Sequence, residues 1–149
     1  MQRVRYAELH ALSNFTFLRG ASHPEELVET AAALGYEALA ITDECTMSGI
    51  VRAHMSARAC QLKLIVGSEL RLRSGRKLVV LAQNRNGYAA LCRLITKARR
   101  AAEKGSYELT RNFFEEGLPD CVVLWVPDDE LALDVEDHWI RETFRDRLW

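Results

Sequence analysis

Three short segments of the sequence carry side chains that could bind a divalent metal ion and hydrolyse a phosphoester. They contain His10, the adjacent Asp43 and Glu44, and Glu69. Each segment closes a run that favours a β-strand, and groups at the carboxyl ends of parallel strands converge on one crevice. Histidine and carboxylate groups in such a crevice can hold metals that activate water. The same residues also fit a structural arrangement, in which Asp43 caps the following helix, Glu69 pairs with an arginine and His10 lies in the core.

The elements that must position these groups alternate between strand and helix. Strands are predicted at residues 6–12, 37–42 and 64–66. The second contains the continuously apolar run Ala38-Leu39-Ala40-Ile41, as in a strand covered on both faces. This alternation is typical of βα units around a parallel sheet.

Two helices are predicted to connect these strands. Ser22-His23-Pro24-Glu25 has the pattern of a capping box with proline near the first helical position, and Gly35 is a natural stop. The second helix is predicted at residues 47–60. Its buried side is predicted to carry four residues: Ile50, Val51, His54 and Met55.

The second half of the chain is predicted to begin with a hairpin, in which residues 74–76 turn the chain and residues 77–82 return. A long helix opens at residues 84–86, with an apolar stripe on one side. Its other side carries a basic strip: Arg93, Lys97, Arg99, Arg100 and Lys104. A strand at residues 121–126 and a helix near residues 136–147 follow.

Size and composition bound the class of protein. The chain has 149 residues, of which 48% are hydrophobic and 28% charged, which excludes a disordered chain. The net charge of -1 argues against a protein held to nucleic acid by bulk electrostatics alone. No apolar run approaches the roughly 20 residues that a membrane span needs, and the N-terminus has no secretory signal. The scattered cysteines form no C-x-x-C pair, which predicts reduced thiols in a cytoplasmic protein.

Longer stretches of the sequence are distinctive in their order: ELHALSNFTFLRGASHPEELVETAAALGYEALAITDEC, then IVGSELRL, then VVLAQNRNGYAALCRLITKA. They resemble the PHP domain that begins the α subunits of bacterial DNA polymerase III. They are more similar still to the error-prone, C-family paralogues of those subunits, from about Tyr6 to the end of the chain. The resemblance implies an α/β fold of the PHP type, a distorted βα barrel.

The strand count suggests only part of such a barrel. About four barrel-type strands precede Trp149, so we expect about the first half of the barrel. Residues 1–149 would then be the N-terminal part of a PHP domain, without the polymerase palm, fingers and later domains. We expect the outer strands, at residues 6–12 and 121–126, to have unpaired edges, which invite self-association.

PHP domains of this family hold a trinuclear metal site, and the sequence matches its motifs only in part. Of two histidines separated by one residue, His10 matches the first and Leu12 stands at the second. Arg19 stands where an aspartate normally precedes a glycine. The Thr-Asp-His-Gly motif appears as Thr42-Asp43-Glu44-Cys45, and the Gly-x-Glu motif is kept as Gly67-Ser68-Glu69. The later histidine and cysteine ligands of the family have no counterpart that aligns.

The resemblance therefore implies a degenerate metal site. His10 and Glu69 are its retained ligands, Glu44 is a substitute ligand, and Asp43 and Arg19 shape the site. A catalytic zinc site usually needs three protein ligands, so we assign no catalytic residue and expect at most residual zinc or manganese. Close carboxylates still require a cation between them. We expect the Arg19 guanidinium to fork onto one of them as a buried pair, whose loss would cost about 3–5 kcal/mol.

The function implied is that of the N-terminal PHP module of an error-prone DNA polymerase in damage-induced mutagenesis and translesion synthesis. By itself the chain is expected to be inactive, in the cytoplasm and away from membranes. Its partners would be DNA, through the parent polymerase, and clamp or mutagenesis accessory proteins. Arg93, Lys97 and Arg100 would contact the DNA backbone or the polymerase body, or form a solvated helix face. The alternatives are a free-standing metal-dependent PHP phosphoesterase or nuclease, and a small non-enzymatic interaction module that docks through the basic helix.

Overall fold

The computed structural model describes residues 5–127 and 135–149. The chain forms two compact units, Met1–Ser68 and Glu69–Trp149. No helix among the described residues is long and apolar enough to cross a membrane. All four cysteines are free thiols, as predicted.

The first unit contains a parallel sheet and two helices. Strand β1 (Ala7–Ala11) pairs with β2 (Ala38–Ile41), which pairs with the first part of β3 (Lys63–Arg71). Strand β2 is buried at every position, as its unbroken apolar sequence predicts. Because both pairings are parallel, the carboxyl ends of β1 and β2 lie at the same edge of the sheet.

Helix α1 (Pro24–Ala33) begins with a capping box, one residue later than the sequence predicts. His23 is the N-cap, and its backbone N–H donates to the Glu26 carboxylate at 2.8 Å. Ser22, the predicted cap, belongs to the preceding loop, since its carbonyl accepts from the Asn14 N–H at 2.8 Å. The glutamate of the capping box is therefore Glu26 and not Glu25.

Helix α2 (Ile50–Ala59) buries a different face from the predicted one. Three of the four residues expected inside are exposed: Val51, His54 and Met55. The residues that the helix buries are these: Ile50, Ala53 and Ala57. They join the same apolar cluster as Val28 of α1. Alanine side chains let two helices approach closely, a property that hydrophobicity alone does not reveal.

Strand β3 runs further than the sequence predicts, to Arg71, so Glu69 lies within a strand and not beyond its end. The prediction divided one long strand because it treated the Gly-Ser pair as a break. The hairpin itself is confirmed. The Gly75 N–H donates to the Leu72 carbonyl at 2.8 Å, and Gly75 has a φ of 95°, which favours glycine. The chain then returns as β4 (Lys77–Ala82) at the predicted bounds.

The second unit adds a strand and two α-helices to this hairpin. Strand β5 (Cys121–Val126) pairs antiparallel with β4, and its bounds are the predicted ones. Helix α3 (Arg85–Arg100) follows β4. The Asn84 side chain caps it by accepting from the N–H groups of Asn86 at 2.9 Å and Gly87 at 3.1 Å.

Helix α4 (Val135–Phe144) is anchored by a buried ion pair that the sequence did not predict. Arg76 Nε donates to Asp137 Oδ1 at 2.8 Å, and Arg76 Nη2 donates to Oδ2 at 3.2 Å. Both side chains are buried, and the two parallel bonds have the fork geometry that arginine offers a carboxylate. Short 3-10 helices occupy Arg111–Phe114 and Arg145–Arg147.

The outer edge of β5 is covered, contrary to prediction. The Trp149 N–H donates to the Val123 carbonyl at 2.9 Å, and the Trp125 N–H donates to the Trp149 carbonyl at 2.7 Å. Leu148 forms the parallel bridge to Val123. Backbone groups that the sequence left unpaired are therefore bonded to residues 148–149.

Candidate functional site

In the first unit, the site expected at the strand ends is built on the loop between β1 and α1. The Thr16 N–H donates to the Ser13 carbonyl at 2.9 Å, and the Gly20 N–H donates to the Thr16 carbonyl at 3.0 Å. The Asn14 N–H reaches the Ser22 carbonyl across the loop at 2.8 Å. These bonds give the loop a defined backbone without a helix or a strand.

Asp43, directly after β2, is the acceptor at the centre of this loop. Its carboxylate accepts from the Ser13 N–H, the Ser13 hydroxyl and the Thr16 hydroxyl, each at 2.7 Å. The Ser68 hydroxyl donates to the Asp43 backbone carbonyl, also at 2.7 Å. Asp43 is only 1% exposed. A buried carboxylate is costly unless donors surround it, and here three donors do. The side chain thereby ties the loop to the end of β2.

Gly20 and Gly49 allow this packing. A Cβ at Gly20 would lie 2.0 Å from the Ser13 carbonyl oxygen. One at Gly49, just before α2, would lie 3.0 Å from Asp43 Oδ2 and 2.9 Å from Pro24 Cγ. A side chain at Gly20 would therefore push the loop away from β1, and one at Gly49 would crowd the Asp43 carboxylate.

The predicted ion pair of Arg19 is present, and its carboxylate is that of Glu44. Arg19 Nη1 lies 2.6 Å from Glu44 Oε2, and the Glu44 N–H donates to the Thr16 hydroxyl at 3.0 Å. The two side chains are 35% and 24% exposed, so this pair is not the fully buried one that we expected. Water screens a pair of this kind, and its loss should cost about 1 kcal/mol or less.

The remaining predicted ligands, His10 and Glu69, lie on strands. His10 is in β1 and half-buried, and its backbone N–H donates to the Glu8 carboxylate at 3.0 Å. Glu8 also accepts from the Tyr6 hydroxyl, and this bond raises the pKa of the Tyr6 phenol. Glu69 is fully buried in β3 and belongs to the second unit. The structure thus brings Arg19 and Glu44 into contact and links them through the loop to Asp43.

The side chains of the first unit that could act as metal ligands do not fit a metal cluster. Both oxygens of Asp43 already accept hydrogen bonds, Glu44 is paired with Arg19, and Leu12 offers no ligand atom. Within residues 5–127 and 135–149, no three His, Cys, Asp or Glu side chains are grouped so that they could hold a metal ion. A cation could bind Glu44 only by displacing or repelling the guanidinium beside it.

The residues predicted to contact DNA or a partner are exposed on α3: Arg93, Lys97 and Arg100. Lys97 Nζ lies 3.5 Å from Glu116 Oε1, and both side chains are more than half exposed. Arg99 differs from them, because its guanidinium lies over the Tyr107 ring at 5.2 Å from the centroid. The structure therefore separates Arg99 from the rest of the basic strip.

Sequence reasoning missed the hydroxyl groups that organise the site. Ser13 and Thr16 follow β1 in an S-x-x-T pattern, which is typical of loops closed by side-chain hydrogen bonds. That pattern could have indicated that Asp43 is an acceptor, whereas we considered it only as an acid beside a metal or as a helix cap. Ser68, inside β3, carries no such signal.

Comparisons with known proteins agree with this architecture. The sequence matches the model of the PHP domain family over residues 8–132. The error-prone DNA polymerase of Pseudomonas fluorescens (strain Pf0-1) is 55% identical over 146 residues, which are 97% of this chain and 14% of the relative. That of Dechloromonas aromatica is 54% identical over 154 residues, covering 100% of this chain and 15% of the relative. The error-prone DNA polymerase of Pseudomonas aeruginosa is 55% identical, over 97% of this chain and 14% of its own length. The chain therefore spans about one seventh of these relatives.

Solved structures show the same fold. An amidohydrolase from Chromobacterium violaceum matches with a TM-score of 0.54 at 26% identity, over 64% of this chain and 34% of that one. A Bifidobacterium adolescentis protein, provisionally assigned as a metal-dependent phosphoesterase, matches with a TM-score of 0.53 at 22% identity. This match covers 66% of this chain and 35% of that one. The predicted PHP-type α/β fold is confirmed by these two matches. Because the family model covers most of its length, the chain belongs to the PHP domain family.

Proposed function

We propose that this chain is the N-terminal PHP module of an error-prone DNA polymerase that acts in damage-induced mutagenesis and translesion DNA synthesis. The observation that carries the proposal is the 54–55% identity to error-prone DNA polymerases across 97–100% of the chain. Since the chain spans 14–15% of those relatives, the palm and fingers would belong to the rest of such a polymerase. The whole protein would act in the bacterial cytoplasm on DNA, with clamp or accessory mutagenesis proteins as further partners.

Within this module, the metal site is degenerate and its residues have a structural function. Leu12 and Arg19 replace ligands that the family resemblance implies, and Arg19 pairs with Glu44. Asp43 fixes the loop after β1 through its hydrogen bonds, which join the carboxyl ends of β1 and β2. Any residual zinc or manganese would bind through His10 in the first unit or, separately, through Glu69 in the second.

A free-standing PHP phosphoesterase is the alternative enzyme, and one structural neighbour is provisionally assigned that activity. At 22% identity this likeness concerns the fold. The donor set described above argues against hydrolysis by this chain. A small interaction module that docks through α3 is the non-enzymatic alternative, and it predicts that the chain cannot replace part of a polymerase.

Segment exchange tests the proposal directly. This chain would replace the matching segment of the Pseudomonas aeruginosa polymerase, and the matching segment from the Dechloromonas aromatica enzyme would serve as the control. Primer extension past an abasic site would be measured for both chimeric proteins. We expect both to be active within a few-fold of each other. An inactive chimera with this chain beside an active control would contradict the proposal.

The phosphoesterase alternative has its own measurement. The purified chain would be assayed for bound metals by elemental analysis and for hydrolysis of bis(p-nitrophenyl) phosphate in the presence of manganese. We expect neither a metal cluster nor hydrolysis above the metal-only background. Several tightly bound ions, with hydrolysis that is lost on chelation, would establish the phosphoesterase instead.

A further inference from the structure

Helix α3 presents a narrow row of cations to solvent. Its 16 residues include Arg or Lys at 85, 93, 97, 99 and 100 and no Asp or Glu. Three of these cations form what we call the α3 basic row: Arg93, Lys97 and Arg100. At about 100° per residue the row falls within an arc of about 60°, and it extends about 10 Å along the helix axis. Lys104, also exposed, follows the end of the helix.

The row contributes little to the fold that the described residues form. Arg93 and Arg100 make no ion pair with another described residue, and the Lys97–Glu116 pair is exposed on both sides and therefore weak. The helix dipole favours cations in the last turn, which accounts for Lys97 and Arg100. It does not account for Arg93, which lies before that turn. By contrast, Arg99 is used internally, since it donates to the Ser106 carbonyl at 3.3 Å.

The surroundings of the row decide which kind of partner it fits. The adjoining cleft, whose floor includes Leu94, Phe113 and Leu118, has a volume of about 20 Å³, room for about one water molecule. A protein partner usually inserts a buried aromatic or aliphatic anchor, and this cleft cannot accept one. A row of exposed cations beside so small a cleft fits a polyanion. In duplex DNA each strand carries one phosphate per roughly 3.4 Å of axis, so the row would face about three phosphates.

We propose that the α3 basic row contacts the phosphate backbone of DNA without reading its sequence. This inference rests on the proposed function, because a polymerase is what would bring DNA to the module. The row would position the duplex, and any choice of sequence or lesion would lie elsewhere. Each of the three cations would release counterions on binding, so the affinity should fall steeply with salt.

The salt dependence of the affinity can be measured by fluorescence anisotropy. A labelled random-sequence duplex would be titrated with the 149-residue chain at a range of salt concentrations. For three phosphate contacts, the plot of log affinity against log salt should have a slope of about −2.7. The triple variant Arg93→Ala, Lys97→Ala, Arg100→Ala should lose at least about tenfold in affinity at low salt, and its slope should approach zero. Circular dichroism melts would confirm that each variant is folded.

The matched control removes three exposed cations outside α3, with the same change in net charge: Arg58→Ala, Lys63→Ala and Arg71→Ala. We expect it to keep the wild-type slope. The proposal is overturned if the control loses as much affinity as the triple variant, if the triple variant keeps its slope, or if the wild type shows no binding at the lowest salt. Equal competition by polyglutamate of the same charge would also overturn it, in favour of an acidic protein. An active chimera in the segment exchange, together with any of these results, would leave the proposed function intact.

Discussion

Asp43 is the single residue on which the loop after β1 depends most. Replacement by alanine would leave the Ser13 N–H and two hydroxyl groups, all in a buried site, without their acceptor. An unsatisfied buried donor costs about 1–3 kcal/mol, so Asp43→Ala should lower the free energy of unfolding by at least about 3 kcal/mol. Urea unfolding would measure the loss. Glu44→Ala is the matched control, and because Glu44 is partly exposed it should cost about 1 kcal/mol or less. Equal losses in the two variants would contradict this account.

The thiol of Cys121 should give the protein a measurable dependence of stability on pH. Burial raises the pKa of its thiol from 9.0 to about 11, an effect that Arg147 opposes and Asp120 reinforces. The unfolded chain therefore loses this proton at a lower pH than the folded protein does. The stabilising effect is complete below about pH 9 and is lost as the pH rises from 9 towards 11.

Urea unfolding at pH 8 and pH 10 would test this dependence. The wild-type protein should lose more stability between the two values than Cys121→Ala does, since the variant has no thiol to ionise. Parallel losses would show that other groups control the alkaline limit.

The sequence predicted part of the site because an arginine beside several carboxylates requires a partner of opposite charge, which is a simple chemical rule. Arg19 had to find a carboxylate, and it pairs with Glu44. The exposure of that pair could not be predicted, because it depends on how the loop folds over the end of β2. The Asp43 hydrogen bonds were missed for the same reason, since their donors lie 27 and 30 residues away in the sequence.

Among the secondary-structure elements, α4 is held by the least predictable contact in the second unit. Arg76 and Asp137 are 61 residues apart, and both are buried. Removing one partner of a buried pair typically costs about 3–5 kcal/mol, so Arg76→Ala should destabilise the protein by that amount. The double variant Arg76→Met with Asp137→Leu should recover most of the loss, because apolar side chains leave no buried charge. Thermal and urea unfolding of the three proteins would measure it, and a double variant as unstable as Arg76→Ala would contradict the prediction.

Elements with a strong local signal were predicted well, and those set by packing were not. Strands β4 and β5 have the predicted bounds because an apolar run between turn residues defines each of them. Helix α3 begins where Asn84 caps it. Helix α2 was placed correctly but rotated, since Ala53 and Ala57 face the core and the larger Met55 faces solvent. The size of the space beside α1 decides that orientation, and no pattern in the sequence records it.

For the whole molecule, the pairing of sheet edges is what the sequence could not settle. We expected the edge at residues 121–126 to be open, and residues 148–149 cover it. A covered edge removes one of the two reasons for expecting self-association. Nothing local marks Leu148 or Trp149 as strand-like, because the pairing depends on how the chain returns after α4.

Deleting Leu148 and Trp149 tests whether this pairing protects the molecule from association. The deletion leaves the Val123 carbonyl and the Trp125 N–H without the partners that they have in the structure. Each lost hydrogen bond is worth about 1 kcal/mol, so the free energy of unfolding should fall by about 2 kcal/mol. The exposed edge of β5 should also pair with other copies, so sedimentation velocity should show larger species at rising concentration. Trp149→Ser is the matched control, because it removes a side chain that is 77% exposed and keeps both backbone bonds. A deletion variant that sediments as the wild type does would contradict the prediction, and a Trp149→Ser variant that associates as strongly as the deletion would show that the side chain and not the strand edge governs association.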